Sequence, residues 1–324
     1  MKKLFVVIPN WNGAEMISAC LTSLQKQSLK ASIIVVDNGS VDESIKIIEE
    51  QFPTVYLIKL PQNTGFAGGV NTGIRYALGQ GAYAVALFNN DAVADKEWLS
   101  ELVTTMDSDH KIGIISCKQL RSDKKHIDST GDFYTIWGMP FPRGRNQIDK
   151  GQYDISEPIF SAPAGATLYR ATMFKKIGLF DEKFFAYYED VDISFRGQLA
   201  GWKIIYQPKA VVYHHVSATS DKLGGFTRYH ATKNFYLLYA KNMPGWLFWK
   251  YLPLFVIQAA RLLASSVLKG GGWAYLRGLV RAVLLTPHII LERYRIQKTR
   301  TVSIKDIDSQ LYKHRPPKMP GFVS

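Results

Sequence analysis

Short apolar, β-branched runs recur at Leu4–Ile8, Ile33–Val36, Val55–Leu60 and Ala82–Phe88, with stretches of helical period such as Ala14–Gln27 and Val41–Gln51 between them. A strand that is apolar at every position is covered on both faces, so this βαβα rhythm predicts an α/β fold: a parallel, doubly wound sheet with helices on both sides. Ser40-Val41-Asp42-Glu43 has the spacing of a capping box and predicts that the second helix starts there. In such sheets ligands sit beyond the carboxyl ends of the strands. The polar or glycine-rich turns Pro9–Gly13, Asp37–Ser40, Asn63–Asn71 and Asn89–Asp91 are therefore expected to converge on one crevice.

From about 112 to 216 the rhythm is less regular, with Gly/Pro-rich loops around 138–165, a helix from Glu189 to Ala200 ended by Gly201, and a strand at Lys209–Tyr213. Ser217–Gly225 reads as a loop. Beyond it lie two apolar stretches, Trp246–Leu268 and Trp273–Leu291, interrupted by Lys250, Pro253, Arg261, Arg277, Arg281 and Pro287. Either is long enough to cross a bilayer, but a central arginine costs about 2.5–3.5 kcal/mol on insertion, so helices lying in the interface are expected. The domain division this suggests is 1–224, with halves at about 1–110 and 111–224, followed by a helical region at 225–324.

Charge sharpens that division. The chain of 324 residues carries a formal +13, yet residues 1–224 are balanced, whereas 225–324 hold 16 basic side chains and 3 acidic ones. With Trp246, Trp249 and Trp273, this tail suits an anionic membrane surface, where each cation contributes about 1 kcal/mol; the plain alternative is that the helices pack on the rest of the protein. The basic residues are interleaved with apolar stretches rather than with a recognition motif, which argues against nucleic acid as a partner. An ordinary balance of 47% hydrophobic and 21% charged residues excludes wholesale disorder and collagen-like structure. Cys20 and Cys117 lie in apolar stretches without metal-type spacing, and the apolar run after Lys2-Lys3 is too short for a signal-peptide core, so a cytoplasmic location is expected.

Several segments carry candidate chemistry, each with a plain structural reading beside it. Asp37 ends a buried strand, where its carboxylate can accept hydrogen bonds from a ribose or a pyrimidine N3–H; Asn38, Gly39 and Ser40 also make an ordinary turn. Asn63 through Asn71, with Gly65 and Gly68, is a glycine-rich strand-to-helix turn able to approach a phosphate or base, but it lacks the spacing of a dinucleotide or P-loop site. Asn89-Asn90-Asp91 follows an apolar strand, and Asp91 there suits a hard divalent cation facing a diphosphate, although such a tripeptide also makes turns. Glu189-Asp190-Val191-Asp192 opens a helix after the aromatic run Phe184–Tyr188. Acids are favoured in a first helical turn by the dipole, and a carboxylate beside aromatic rings can also serve as a general base. His214 and His215 end a strand pointing to opposite faces, so only one can face the site.

Taken in order, these segments resemble the inverting family 2 nucleotide-sugar glycosyltransferases, particularly the rhamnosyltransferase-like branch. The resemblance spans about residues 3–220 and includes Ile8–Asn12, Val36–Ser40, Asn63–Asn71, Phe88–Asp91, Gly178–Glu182, Phe184–Asp192, Arg196, Gly201-Trp202 and His214. It implies a GT-A fold followed by amphipathic helices, and a nucleotide site formed by Pro9, Asn12, Asp37, Asn38, Gly65, Gly68, Asn71 and Asn90. It implies Mg²⁺ or Mn²⁺ on Asp91 and His214, Asp190 as the catalytic base, and Lys222 and Arg228 on a loop folding over the diphosphate. The family's D-x-D motif appears here as Asn89-Asn90-Asp91, with one acid remaining. The donor implied is dTDP-rhamnose, or alternatively a UDP-sugar; the acceptor is a saccharide or polyprenyl-linked saccharide of cell-surface polysaccharide synthesis. A non-catalytic, membrane-associated scaffold of the same fold is the competing class. Location at the inner face of the cell membrane follows from the basic tail.

Overall fold

The computed structural model describes residues 2–215 and 225–317. Its first part alternates strand and helix: β1 (Leu4–Asn10), α1 (Ile17–Gln25), β2 (Ser32–Asp37), α2 (Ser44–Gln51), β3 (Tyr56–Lys59), α3 (Gly65–Gly79), β4 (Ala84–Phe88), β5 (Ala92–Ala94) and α4 (Trp98–Ser108). Strands β3, β2, β1 and β4 lie side by side and parallel. Alternate residues enter opposite cores. Val6, Ile8, Val35 and Ala86 pack with α1 and α4, while Val7, Val36 and Leu87 pack with α3, which is why these strands show no polar alternation. The edge strand β3 departs from this, since Tyr56 is exposed and stacks on Tyr76.

The capping-box spacing does not set the start of α2, which begins at Ser44 after an N-cap, Glu43, that makes no side-chain cap. Ser40 Oγ instead accepts from the Asn12 amide, and the Asp42 carboxylate accepts from the amides of Ala14 and Ser44. These bonds tie the loop after β1 to the loop after β2, a tertiary demand that outcompetes the local cap.

The second part contributes β6 (Ile112–Arg121), β7 (Ile127–Ser129), β8 (Asp132–Tyr134), β9 (Pro140–Pro142), β10 (Glu157–Pro158), β11 (Ala166–Arg170), α5 (Ala171–Ile177), α6 (Glu189–Leu199) and β12 (Lys203–His214). Strand β11 enters antiparallel between β4 and β6, and β12 continues the sheet parallel to β6. That insertion accounts for the broken rhythm of the sequence after residue 112. β12 is longer than the Lys209–Tyr213 run; a register shift between Gln207 and Val211 lets it continue to His214. β8 and β9 form a separate hairpin.

Five helices follow: α7 (Gly225–Asn242), α8 (Gly245–Leu268), α9 (Gly272–Leu284), α10 (Thr286–Lys298) and α11 (Ile304–Gln310). Phe235 and Tyr239 of α7 and Leu247, Phe255 and Leu262 of α8 share one apolar core with Tyr134, Phe160, Phe184 and Phe195, so residues on either side of position 224 are packed together. The stretch Trp273–Leu291 is two helices bent by 59°, with Pro287 in the first turn of the second. α8 is long and apolar enough to cross a membrane, although one third of its most apolar window is buried against the protein.

Candidate active site

A cavity of about 990 Å³ opens at the carboxyl ends of β1, β2 and β4. Each of the four turns expected there contributes: Pro9 and Trp11, then Asn38, then Asn63 and Gly65, then Asn89, Asn90 and Asp91. Glu189 and Asp190 from the start of α6 and Asp132 from β8 line the same cavity. Asp91 and Asp190, far apart in the chain, therefore border one pocket.

On the β1–β2 side the lining differs in detail from the sequence reading. Asp37 is buried behind the wall, where it accepts from Asn10 Nδ2 and the Ser40 amide, each at 3.0 Å. Asn10, which sequence reasoning missed, borders the cavity while its side chain is fully buried; its Oδ1 accepts from Asn90 Nδ2 at 2.9 Å. Asn12 turns outward at φ +50 and receives the Val41 amide. Asn38 does line the pocket and shapes the following turn, accepting from the Thr64 amide and donating to the Gly65 carbonyl. Gly65 has φ +77, and a Cβ there would sit 2.5 Å from the Phe185 carbonyl oxygen, so this position admits only glycine. Gly68 packs behind the turn on Thr64. Asn71 is a latch rather than a lining residue, exchanging hydrogen bonds with the backbone of Phe180 and donating to Glu182. Arg228 lies on α7 and donates to the Ser266 carbonyl, away from the pocket lining; Lys222 lies outside the described residues.

The polar centre of the cavity is a chain of three side chains. His214 Nε2 stands 3.0 Å from Asp91 Oδ1, and His214 Nδ1 stands 3.0 Å from Asp128 Oδ2. Of the two histidines, His214 lines the cavity and His215 does not; the His215 amide donates to the Asp91 carbonyl. Burial alone would lower the imidazole pKa, but hydrogen bonds to Asp128 and Asp91 raise it to about 10. Asp128 is held below the usual carboxylate range against the cost of burial by His214 and Arg145, the latter 2.9 Å away. Among the described residues no group of three or more His, Cys, Asp or Glu side chains forms a full metal shell. Asp91 Oδ1 and His214 Nε2 are hydrogen-bonded to each other, so a cation held by this pair would take the place of the proton between them, and Asp128 holds the imidazole through Nδ1. A pair of protein ligands of this kind fits a cation whose other positions are filled by phosphate oxygens.

A second group in the lining is acidic: Glu189, Asp190 and Asp132. Asp190 accepts from the Val191 amide at 2.8 Å and the Ala164 amide at 3.3 Å; burial raises its pKa, and these bonds pull it back only in part. Glu189 and Asp132 are pushed well above the carboxylate range, first by burial and then by the Asp190 charge, and Glu189 Oε2 has no hydrogen-bond partner. Asp190 is thus the least perturbed of three neighbouring buried acids, the one best able to carry a charge. The turn leading to it is strained: Phe185, Tyr187 and Tyr188 all have φ between +66 and +71. Asp128 and Asp132 escaped the sequence reading; they flank Gly131 in short strands, and their only signal was a polar run in a strand-like setting.

Comparison with known proteins accords with this geometry. The pattern of the family described as Glycosyl transferase family 2 matches residues 5–178. The chain is 26% identical over 250 residues to the dTDP-rhamnosyl transferase RfbF of Shigella flexneri, covering 74% of this chain and 80% of that one. It is 24% identical over 268 residues to an N-acetylglucosaminyl-diphospho-decaprenol L-rhamnosyltransferase of Mycobacterium tuberculosis, covering 73% and 83%. Among solved structures, the mannosyltransferase PcManGT from Pyrobaculum calidifontis, in complex with GDP-Man and Mn²⁺, shares the fold with a TM-score of 0.55 at 17% identity, covering 87% of this chain and 86% of that one.

Proposed function

The chain belongs to glycosyl transferase family 2, and from that premise we propose an inverting, metal-dependent transferase for cell-surface polysaccharide synthesis. The favoured donor is dTDP-rhamnose, with a UDP-sugar as the alternative, and the acceptor is a saccharide or polyprenyl-linked saccharide. The rhamnosyltransferase relatives support the donor class. The observation that supports the reading is that the Asp91–His214 pair and the Asp190 carboxylate line one and the same cavity.

Asp91 Oδ1 and His214 Nε2 would hold Mg²⁺ or Mn²⁺, which when bound neutralises the charge of the departing diphosphate. Asn38, Asn63 and the Gly65 turn would seat the nucleoside, with Asn10 and Asn90 bonded to each other beside it. Asp190 takes the proton from an acceptor hydroxyl, the freed oxygen attacks the anomeric carbon, and the nucleoside diphosphate leaves from the opposite face. One displacement inverts the anomeric configuration.

The exposed Trp249, Trp273, Val267 and Leu268, together with the basic excess after residue 224, support peripheral attachment to the inner face of the cell membrane. Incubating the protein with a panel of nucleotide sugars, with and without Mn²⁺, and following metal-dependent sugar release or transfer tests the function. Turnover is expected with dTDP-rhamnose; no release from any member of the panel would overturn the reading.

A further inference from the structure

The cavity contains a second charged region that proton transfer at Asp190 does not use. α8 turns one stripe towards it, Gln258, Arg261, Leu262, Ser265 and Lys269, spaced at successive helical turns, and Arg315 reaches the same cavity from the segment after α11. Both elements are seated on the β8–β9 hairpin. Phe255 of α8 packs against the hairpin turn at Gly138, where a Cβ would lie 2.6 Å from the ring. Tyr312 bonds to the backbone of Tyr134 and Ile136 and packs its ring on Phe133 and Phe141. The same hairpin region gives Asp132, Met139 and Phe141 to the wall beside Asp190, whereas Pro9, Asn38 and Gly65 come from the β1–β2 side of the sheet. The cations thus stand on the acceptor side of the pocket.

Depth separates the charges as well. Asp132, Glu189 and Asp190 lie at or near the buried floor, while Arg261 is half-buried and Lys269 and Arg315 are exposed at the rim. An acceptor that offers a hydroxyl to the floor and carries an anionic group at its other end matches this polarity, and the planar guanidinium fork suits phosphate oxygens. The outer face of α8 bears the exposed Val256, Ile257, Leu263, Val267 and Leu268, so an apolar chain leaving the rim finds an apolar path.

We propose that Arg261, Lys269 and Arg315 form a site for a phosphate or diphosphate group on the acceptor, at the end of the saccharide remote from the hydroxyl that is glycosylated, with an attached lipid passing along the outer face of α8. This rests on the glycosyl-transfer reading of the same cavity and specifies its acceptor class. The test compares two probes: N-acetylglucosamine joined through a diphosphate to a short soluble alkyl chain, and the same sugar on the same chain without phosphate. Binding to the full-length protein is measured by calorimetry, and transfer is then measured from whichever nucleotide sugar supports turnover.

The diphosphate probe is expected to bind at least about tenfold more tightly than the neutral one, as two charge-assisted contacts would give. Arg261→Gln with Arg315→Gln should remove that preference and raise KM for the diphosphate acceptor about tenfold, leaving nucleoside diphosphate affinity unchanged. Arg315→Gln alone, at an exposed position, should give part of the effect without risk to folding. Arg295→Gln, which removes an exposed α10 cation paired with Glu292, should retain the preference. Equal binding of the two probes by the wild type, or weakened nucleoside diphosphate binding in the double variant, overturns the assignment. Phosphatidylglycerol vesicles that displace the diphosphate probe from the wild type would reassign the cations to bilayer headgroups and overturn it too. Absence of transfer from every nucleotide sugar counts against the enzymatic reading instead, while the binding preference still reports on the site.

Discussion

Single residues in the cavity lining make the proposed chemistry testable. Asp190→Asn keeps the shape of the wall but cannot accept a proton, so transfer should fall by about 10²–10⁴-fold with nucleoside diphosphate affinity retained. A variant keeping more than about a tenth of wild-type turnover would remove Asp190 from the role of base. Burial holds the Asp190 pKa above the ordinary aspartate value, and the base must be ionised to act. Activity should therefore rise with pH through an acid limb lying above the ordinary aspartate range, and a limb within or below that range would contradict the effect of burial on this carboxyl. Asp91→Ala should abolish the Mn²⁺-dependent part of nucleoside diphosphate binding in calorimetric titrations. Identical affinities in wild type and variant, with and without the metal, would release Asp91 from this function. His214 is harder to test alone, because its removal also leaves Asp128 buried beside Arg145 with one partner fewer.

Elements explain why Asp190, the proposed base, sits where it does. The aromatic turn before α6 is held by α7: Asn234 Nδ2 donates to the carbonyls of Phe184, Ala186 and Tyr187, and Lys233 Nζ donates to those of Lys183 and Phe184. These bonds offset the three left-handed backbone conformations, which cost of order 1–3 kcal/mol each. Asn234→Ala should lower kcat with little change in donor affinity, and should lower stability by about 1–3 kcal/mol through the freed buried carbonyls. Unchanged kcat together with unchanged thermal stability would show that the turn is held without α7. The helical region after residue 224 is thereby tied to the turn that carries Asp190. No sequence periodicity announces this, since Lys233 and Asn234 look like ordinary polar positions of a helix until the turn they face is known.

At the scale of the whole molecule, the basic excess and the exposed tryptophans share the same end of the chain. The protein should float with phosphatidylglycerol vesicles at low salt, be released as salt screens the surface, and bind more weakly after Trp249→Ser with Trp273→Ser. Equal recovery with neutral and anionic vesicles would exclude the electrostatic part of that attachment.

The sequence by itself determined the order of β1 to β4, the two-sided burial of these strands and the turns that gather at their ends, because hydrophobic period and glycine or asparagine turns are local properties of the chain. It also located Asp91, Asp190 and His214. Only the tertiary structure decided that Asp37 is bonded to Asn10 behind the lining, that Asp128 and Asp132 join the cavity from short strands, and that α8 lines it too. Those choices depend on which partner a polar group meets across the fold, and that partner comes from a segment whose distance along the chain carries no pattern to read.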